Sequence, residues 1–227
     1  RWLDLKKIPI WIHCKGYLVR DDNMKPLYMI GCVNEIGERQ KADNVSGLLG
    51  ESGFREYMNQ LDTPLETGYL LRIGIDHFKE INDNFGQEYG DFVLKKTAEC
   101  ISGCTSEGQK VYKLVADEFL ILDVASDEAK DADKLYDKVR EAIDRFIETN
   151  EFKVMYTVSG GIVPFAALKG NQCSEALKLT DFALNEAKKL GRNRCYIFNG
   201  ETYRKFLRKR EITQELREAV INGFQGF

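Results

Sequence analysis

Two carboxylates stand side by side in the stretch Val115-Ala116-Asp117-Glu118-Phe119, between the apolar runs at residues 111–115 and 119–124. The runs read as β-strands and the acids as the corner that joins them. Carboxylates at such a corner offer hard oxygen ligands, the kind a divalent cation prefers. A tight corner of this kind normally uses glycine, which reaches the needed backbone angles freely and lets a ligand touch the main chain. Val115 and Ala116 stand where that room would be. The acidic corner is therefore present without the bare backbone that would let a ligand press against it.

Other reactive side chains are less telling. The six cysteines, Cys14, Cys32, Cys100, Cys104, Cys173 and Cys195, are scattered through core-like segments. None forms a Cys-x-x-Cys pair, and His13 and His77 are the two histidines of the chain, so a zinc site lacks ligands. Reduced, buried thiols in a cytoplasmic protein are the expectation. A net charge of −3 with mixed signs gives no global field to recruit nucleic acid or anionic membrane. No apolar run approaches the roughly 20 residues of a membrane helix, and no signal peptide opens the chain. Arg204, Lys205, Arg208, Lys209 and Arg210 make the C-terminal part locally basic. Without interleaved aromatics they read as a solvated helix face.

The elements that must hold the acidic corner are set by periodicity. Residues 68–75 are β-rich. Residues 91–104 carry Leu94, Ala98 and Ile101 at helical spacing, with Asp91 in the position of an N-cap after Gly90. The hairpin around Asp117 comes next. Residues 127–149 place Ala132, Leu135, Tyr136, Val139, Ile143, Phe146 and Ile147 on one face of an amphipathic helix. Residues 152–158 alternate like a half-buried strand, residues 176–187 return to the helical period, and residues 196–198 close with a short strand. The order β-α-β-β-α-β, with an antiparallel hairpin at its centre, predicts a ferredoxin-like α/β (α+β) fold with helices on one face of the sheet. Before it, residues 1–42 read as a β-hairpin turning at Arg20-Asp21-Asp22-Asn23. After it, residues 201–227 read as a helix with the apolar stripe Ile212, Leu216, Ala219 and Val220, stopping near Gly223. Its 227 residues suffice for one domain plus flanking pieces, and with its abrupt ends at Arg1-Trp2 and Gly226-Phe227 the chain reads as a piece of a longer protein.

The acidic corner resembles the signature of the GGDEF family, the diguanylate cyclase fold, with its glycine pair replaced by Val115-Ala116. Three more stretches resemble family motifs in the family's order. Residues 75–91, from Ile75-Asp76-His77-Phe78-Lys79 through Ile81-Asn82-Asp83 to Gly90-Asp91, are similar to the long Asp-x-Asp-x-Phe-Lys signature. Ala187-Lys188-Lys189-Leu190-Gly191-Arg192-Asn193 is similar to the late Ala-Lys-x-x-Gly-Arg-Asn. Asp43-Asn44-Val45-Ser46-Gly47-Leu48 is similar to the opening Asp-x-Leu-Thr-Gly-Leu, although Gly50-Glu51 replaces the Asn-Arg that comes after it. The hairpin from Trp11 to Arg39 resembles the last strands of a PAS sensor domain. Leu216-Arg217-Glu218-Ala219-Val220-Ile221-Asn222-Gly223-Phe224 resembles the first helix of an EAL phosphodiesterase domain. The implied organisation is the end of a PAS domain at 1–42, a nucleotide-cyclase-like GGDEF domain at 43–200, and a linker helix with the start of an EAL domain at 201–227.

The resemblance implies a reaction and a site. The family condenses two GTP into cyclic di-GMP across a homodimer, with Mg2+ held by two carboxylates. One of these matches Asp117, with Glu118 beside it. The other matches Gly74, which has no side chain. Asp76 lies two residues on, roughly 6–7 Å along the strand, too far to replace it. Asn82 and Asp91 match the residues that hold guanine; Lys188 and Arg192, with Lys79, match those that bind the triphosphate. Plainer readings of these positions are a turn at Asn82, an N-cap at Asp91, and a solvated cationic helix end at Lys188 and Arg192. The family's product-sensing Arg-x-x-Asp matches Ser106 and Gln109, so that site is absent. The implied function is a degenerate regulatory module, GTP-binding without turnover, in a PAS-GGDEF-EAL phosphodiesterase, with Mg2+ entering only with nucleotide. The alternatives are an active cyclase with displaced ligands and a nucleotide-free structural or dimerisation domain.

Overall fold

A computed structural model of the chain describes residues 2–3, 9–10, 12–21, 24–35, 42–61, 65, 67–124, 126, 129–149, 154–170 and 173–221. In chain order its strands are β1 (Trp2–Leu3), β2 (Pro9–Ile10), β3 (Ile12–Arg20), β4 (Pro26–Glu35), β5 (Leu49–Gly50), β6 (Tyr69–Ile75), β7 (Gln109–Lys113), β8 (Glu118–Asp123), β9 (Val158–Pro164) and β10 (Cys195–Ile197). The helices are α1 (Glu51–Asn59), α2 (Phe78–Phe85), α3 (Gln87–Cys104), α4 (Ala129–Thr149), α5 (Cys173–Lys189) and α6 (Gly200–Ile221).

Strands β10-β9-β6-β8-β7-β5 form one sheet in that order. The inner four are the ferredoxin-like β-α-β-β-α-β set, with β6 antiparallel to both β8 and β9. The expected fold is present, with β10 parallel to β9 and β5 parallel to β7 extending it. The strands β3 and β4 make a separate antiparallel hairpin, in register from Ile12↔Glu35 to Val19↔Tyr28. The segment at 36–41 that resembles a PAS exit, and the helix stop near Gly223, lie outside the described residues. No described helix is long and apolar enough to cross a membrane.

Two expectations change. Helices cover both faces of the sheet, not one. Leu71, Ile73, Phe119 and Ile121 face α3 and α4 through Val93, Ile101, Val139 and Ile143. Leu70, Leu120 and Leu122 face the other way, onto Phe54 and Met58 of α1 and Ala176 of α5. The β-α-β-β-α-β set supplies helices to only one face, so its far face stays apolar until α1 and α5 close it. The last long strand is Val158–Pro164; of the expected strand at 152–158, residues 154–157 are not strand and residues 152–153 lie outside the described residues. Strand β9 is buried almost throughout, so it lacks the alternation of a half-buried strand.

Gly161 in β9 sets how closely α5 approaches the sheet, and Gly160 leaves the same room on the other face for Tyr136 of α4. A Cβ on Gly161 would lie 2.3 Å from the backbone nitrogen of Leu184. Helix α5 thus rests directly on the strand, and its end is carried to the tip of β6. Helix α6 leaves from an aromatic cluster in which Phe182 of α5 meets Tyr203 and Phe206. Beyond that anchor its stripe is exposed: Ile212, Leu216 and Val220 lie in solvent.

Candidate functional site

The acidic corner is a four-residue turn between β7 and β8. Leu114 N donates to the Glu118 carbonyl (2.9 Å) and Glu118 N to the Val115 carbonyl (3.3 Å). Ala116 has φ +56°, in the left-handed region that glycine favours. For alanine this costs on the order of 1–2 kcal/mol. Val115 does not carry the positive angle; it projects outward, 73% exposed, in front of the turn. The lost glycine freedom therefore bears on Ala116, and Val115 acts through bulk alone.

Lys113 holds this turn from behind. Its buried ammonium donates to the carbonyls of Leu114 (3.0 Å) and Ala116 and lies over the Phe119 ring. Burial lowers its pKa, against the opposing pull of Asp43, Asp117 and Glu118. Asp43 closes its own tight turn by accepting from Ser46 N (2.8 Å) and Ser46 Oγ (2.7 Å). Burial would raise its carboxyl, but these donors and Lys113 hold it below the usual carboxylate range.

The residue paired with Gly74 across the ladder is Glu118. Asp117 is still inside the turn, where its carbonyl accepts from Ile75 N (3.3 Å). The Asp117 carboxylate has no hydrogen bond or ion pair with any described residue. Glu118 is engaged. Arg72, two residues before Gly74 and on the same face, donates through Nε to Glu118 Oε2 at 2.7 Å and forms an ion pair with it. Arg72 also reaches Asp181 (3.4 Å) and the Leu177 carbonyl (3.2 Å) on α5. Lys188 Nζ stands 4.0 Å from Glu118 Oε1.

These surroundings do not fit a divalent metal. Position 74 offers no ligand, and Glu118 already faces two cations. A divalent ion about 4 Å from one unit positive charge meets roughly 8 kcal/mol of repulsion at an effective dielectric of about 20. Among the described residues no cluster of three or more His, Cys, Asp or Glu side chains is placed to hold a metal.

Asp76 is spent on the fold. It is 3% exposed and accepts from Thr157 Oγ1 (2.7 Å), Ser159 Oγ (2.7 Å) and Asn193 N (3.2 Å). It pins the end of β6 to β9 and to the turn after α5. A cavity of about 660 Å³ opens beside it, between α2, the end of α4 and residues 154–157. Asn82, Asp91, Asp117, Lys188 and Arg192 do not line it.

The plainer readings of Asn82 and Asp91 do not hold. Asn82 lies inside α2, not in a turn, and α3 begins at Gln87 with Gly86 as its N-cap, which leaves Asp91 in the helix and capping nothing. The Asn82 amide packs on Gly90, where a Cβ would come within 1.8 Å of Oδ1. Gly90 is the residue before Asp91. Asn82 Oδ1 is buried with no hydrogen-bond partner. The Asp91 carboxylate has no partner among the described residues. Lys79, in the first turn of α2, is likewise unpaired among them.

Lys188 is not a solvated helix end, because it folds back over β6. Arg192 is exposed, in a reversal that ends α5: Gly191, Arg192 and Asn193 all have positive φ, and Arg192 N closes on the Ala187 carbonyl (3.2 Å). Arg72, Lys113 and Asp181 are site residues that sequence motifs do not mark. Arg72 carries one local signal: it is the single charge within the apolar run at 69–75.

Known proteins match this architecture. The family described as "Diguanylate cyclase, GGDEF domain" matches residues 41–194. The cyclic di-GMP phosphodiesterase NbdA of Pseudomonas aeruginosa is 28% identical over 183 residues, covering 78% of this chain and 23% of that protein. The diguanylate cyclase DgcZ of Escherichia coli is 30% identical over 161 residues, covering 69% of this chain and 53% of DgcZ. This chain thus spans about half of DgcZ and about a quarter of NbdA. Among solved structures, the GGDEF domain of TpbB (YfiN) from P. aeruginosa superposes with a TM-score of 0.64 at 24% identity, covering 73% of this chain and 99% of that one. The GGDEF domain of DgcB from Caulobacter crescentus, in complex with c-di-GMP, does so at 0.61 and 22%, covering 71% and 98%. These structures establish the fold. With its sheet order and its family match over residues 41–194, the chain belongs to the GGDEF, diguanylate cyclase, family.

Proposed function

We propose that this chain is a cyclic di-GMP signalling module that binds guanine nucleotide and does not condense it. The observation that carries the reading is the contrast between two halves of one site. Asn82 packs on the bare Gly90, one residue before Asp91, and neither side chain has a hydrogen-bond or ion-pair partner among the described residues. An amide beside a carboxylate suits guanine, whose ring N–H and amino group both donate. The metal half lacks a side chain at Gly74, and Arg72 holds Glu118. Lys188 and Arg192, with Lys79, supply the cations for the phosphates.

The exposed helix α6 suits a connector to a following EAL phosphodiesterase domain, and the hairpin β3–β4 suits the end of a preceding PAS domain. On this reading the nucleotide-bound state regulates a neighbouring phosphodiesterase, in a homodimer. Calorimetric titration of GTP against this chain tests the binding. No heat and no thermal shift at millimolar nucleotide would sink it and leave a nucleotide-free scaffold. Chromatography after incubation with GTP and Mg2+ tests the chemistry, and formation of cyclic di-GMP would overturn the inactive assignment.

A further inference from the structure

Gly74 leaves more than a missing ligand. A Cβ built there would lie 3.1 Å from Lys188 Nζ and 3.4 Å from Lys188 Cε. The lysine tip therefore occupies the space that a side chain at position 74 would need. Its position is a consequence of the packing, because Gly161 lets α5 rest on the sheet. The Lys188 side chain is three-quarters buried, and its ammonium lies 4.0 Å from Glu118 Oε1, at the outer limit of an ion pair. The ammonium makes no hydrogen bond to any described residue, so its three N–H donors are uncommitted. The Asp117 carboxylate, in the turn next to Glu118, is also without a hydrogen-bond or ion-pair partner among the described residues. A positive charge, with donors to spare, stands at the end of β6, against position 74, where the resemblance places one of the family's metal-binding acids.

We propose that the Lys188 ammonium is the built-in cation of this site, and that the chain binds guanosine di- or triphosphate without a divalent metal. The proposal rests on the assignment of Asn82 and Asp91 to guanine. The polyphosphate takes the donors of Lys188, with Arg192 as a second cation. Glu118 does not move with it, because Arg72 retains it.

The experiment measures the affinity of the 227-residue chain for GTP and GDP by calorimetry, once in excess EDTA and once in millimolar Mg2+. The two affinities are expected to agree within about threefold, whereas tenfold weaker binding in EDTA overturns the proposal and leaves the guanine assignment standing. Absence of binding in both buffers removes the guanine assignment and the proposal with it. Lys188→Met is expected to weaken binding in EDTA by about tenfold or more, with partial recovery in Mg2+; an unchanged affinity in EDTA is a second refutation. Direct titration with Mn2+, followed by its spin resonance, gives a readout without nucleotide. The native chain is expected to retain none, and retention of one ion per chain refutes the built-in cation. Gly74→Asp, which displaces only the flexible lysine tip and a Leu184 methyl, is expected to gain Mn2+ binding; circular dichroism reports whether that variant keeps its fold.

Discussion

Replacing Asp76 by alanine separates a structural carboxylate from a metal ligand held in reserve. In the native fold its two oxygens take three donors, from Thr157, Ser159 and Asn193, at 2.7, 2.7 and 3.2 Å. All three belong to segments far along the chain, and Ser159 is fully buried. Hydrogen bonds to a charged acceptor contribute about 1.5–3 kcal/mol each, and a buried donor left unpaired costs about 1–3 kcal/mol. The two hydroxyls can turn toward nearby carbonyls and recover part of this. The Asn193 amide cannot, because its left-handed backbone fixes its direction. The net loss for Asp76→Ala is therefore about 3–5 kcal/mol. For a chain of this size that lowers the thermal midpoint by roughly 10 °C. Asp76→Asn keeps one acceptor oxygen and is expected to lose about half as much. Urea unfolding followed by circular dichroism, in EDTA, measures both. A loss under about 1 kcal/mol would refute the assignment, since groups poised for a ligand generally detract from apo stability. So would a Mg2+-dependent rise of the native midpoint that Asp76→Ala abolishes, because Asp76 would then be ligating metal.

Other perturbations probe the guanine pair, the turn and the buried tyrosines. Gly90→Ala drives a methyl group onto Asn82 Oδ1, so nucleotide affinity should fall by about tenfold or more while the helical alanine leaves stability within about 1 kcal/mol; unchanged affinity would separate Asn82 from guanine. Ala116→Gly relieves the left-handed alanine and should stabilise the fold by up to about 1 kcal/mol in urea, net of the glycine's unfolded-state entropy, whereas Val115→Gly with Ala116→Gly should still yield no cyclic di-GMP on chromatography, since neither change supplies a ligand at Gly74. Burial pushes Tyr112 and Tyr156 up to about 12, from an ordinary 10. Their folded pKa values are raised, so the stability they contribute is full below pH 10 and is lost between pH 10 and about 12. Alkaline titration should show a second tyrosinate step that coincides with loss of the circular dichroism signal. Ionisation of every tyrosine near pH 10 with the fold intact would contradict this.

Much of the fold is legible in the sequence because its elements are strongly periodic. The amphipathic stripe of α4 and the apolar runs of β6 and β8 announce themselves locally. Strand β9 is displaced from its expected place because a strand buried on both faces loses its alternation, and the glycine that lets α5 approach, Gly161, carries no pattern. The start of α3 differs because Gly90-Asp91 resembles a capping pair, although the chain reverses earlier, at Gly86, where φ is +85°. The covering of both faces is not visible in the central β-α-β-β-α-β repeat, because α1 and α5 close the far face by tertiary packing.

For the site, the sequence alone determined which groups are present and which are missing: two acids at a corner, no side chain at position 74, an amide and a carboxylate nine residues apart at Asn82 and Asp91, and two cations near the end of a helix. Composition and order suffice for that, because a missing carboxylate is missing in any fold. Only the tertiary structure decided which of these groups are free. It tied Glu118 to Arg72, consumed Asp76 in a buried network, left Asn82 and Asp91 without partners among the described residues, and laid Lys188 over Gly74. Those outcomes depend on distances between strands and helices remote in sequence. A few ångströms at the tip of α5, set by the absent side chain of Gly161, separate a solvated lysine from one that fills the space of a side chain at position 74.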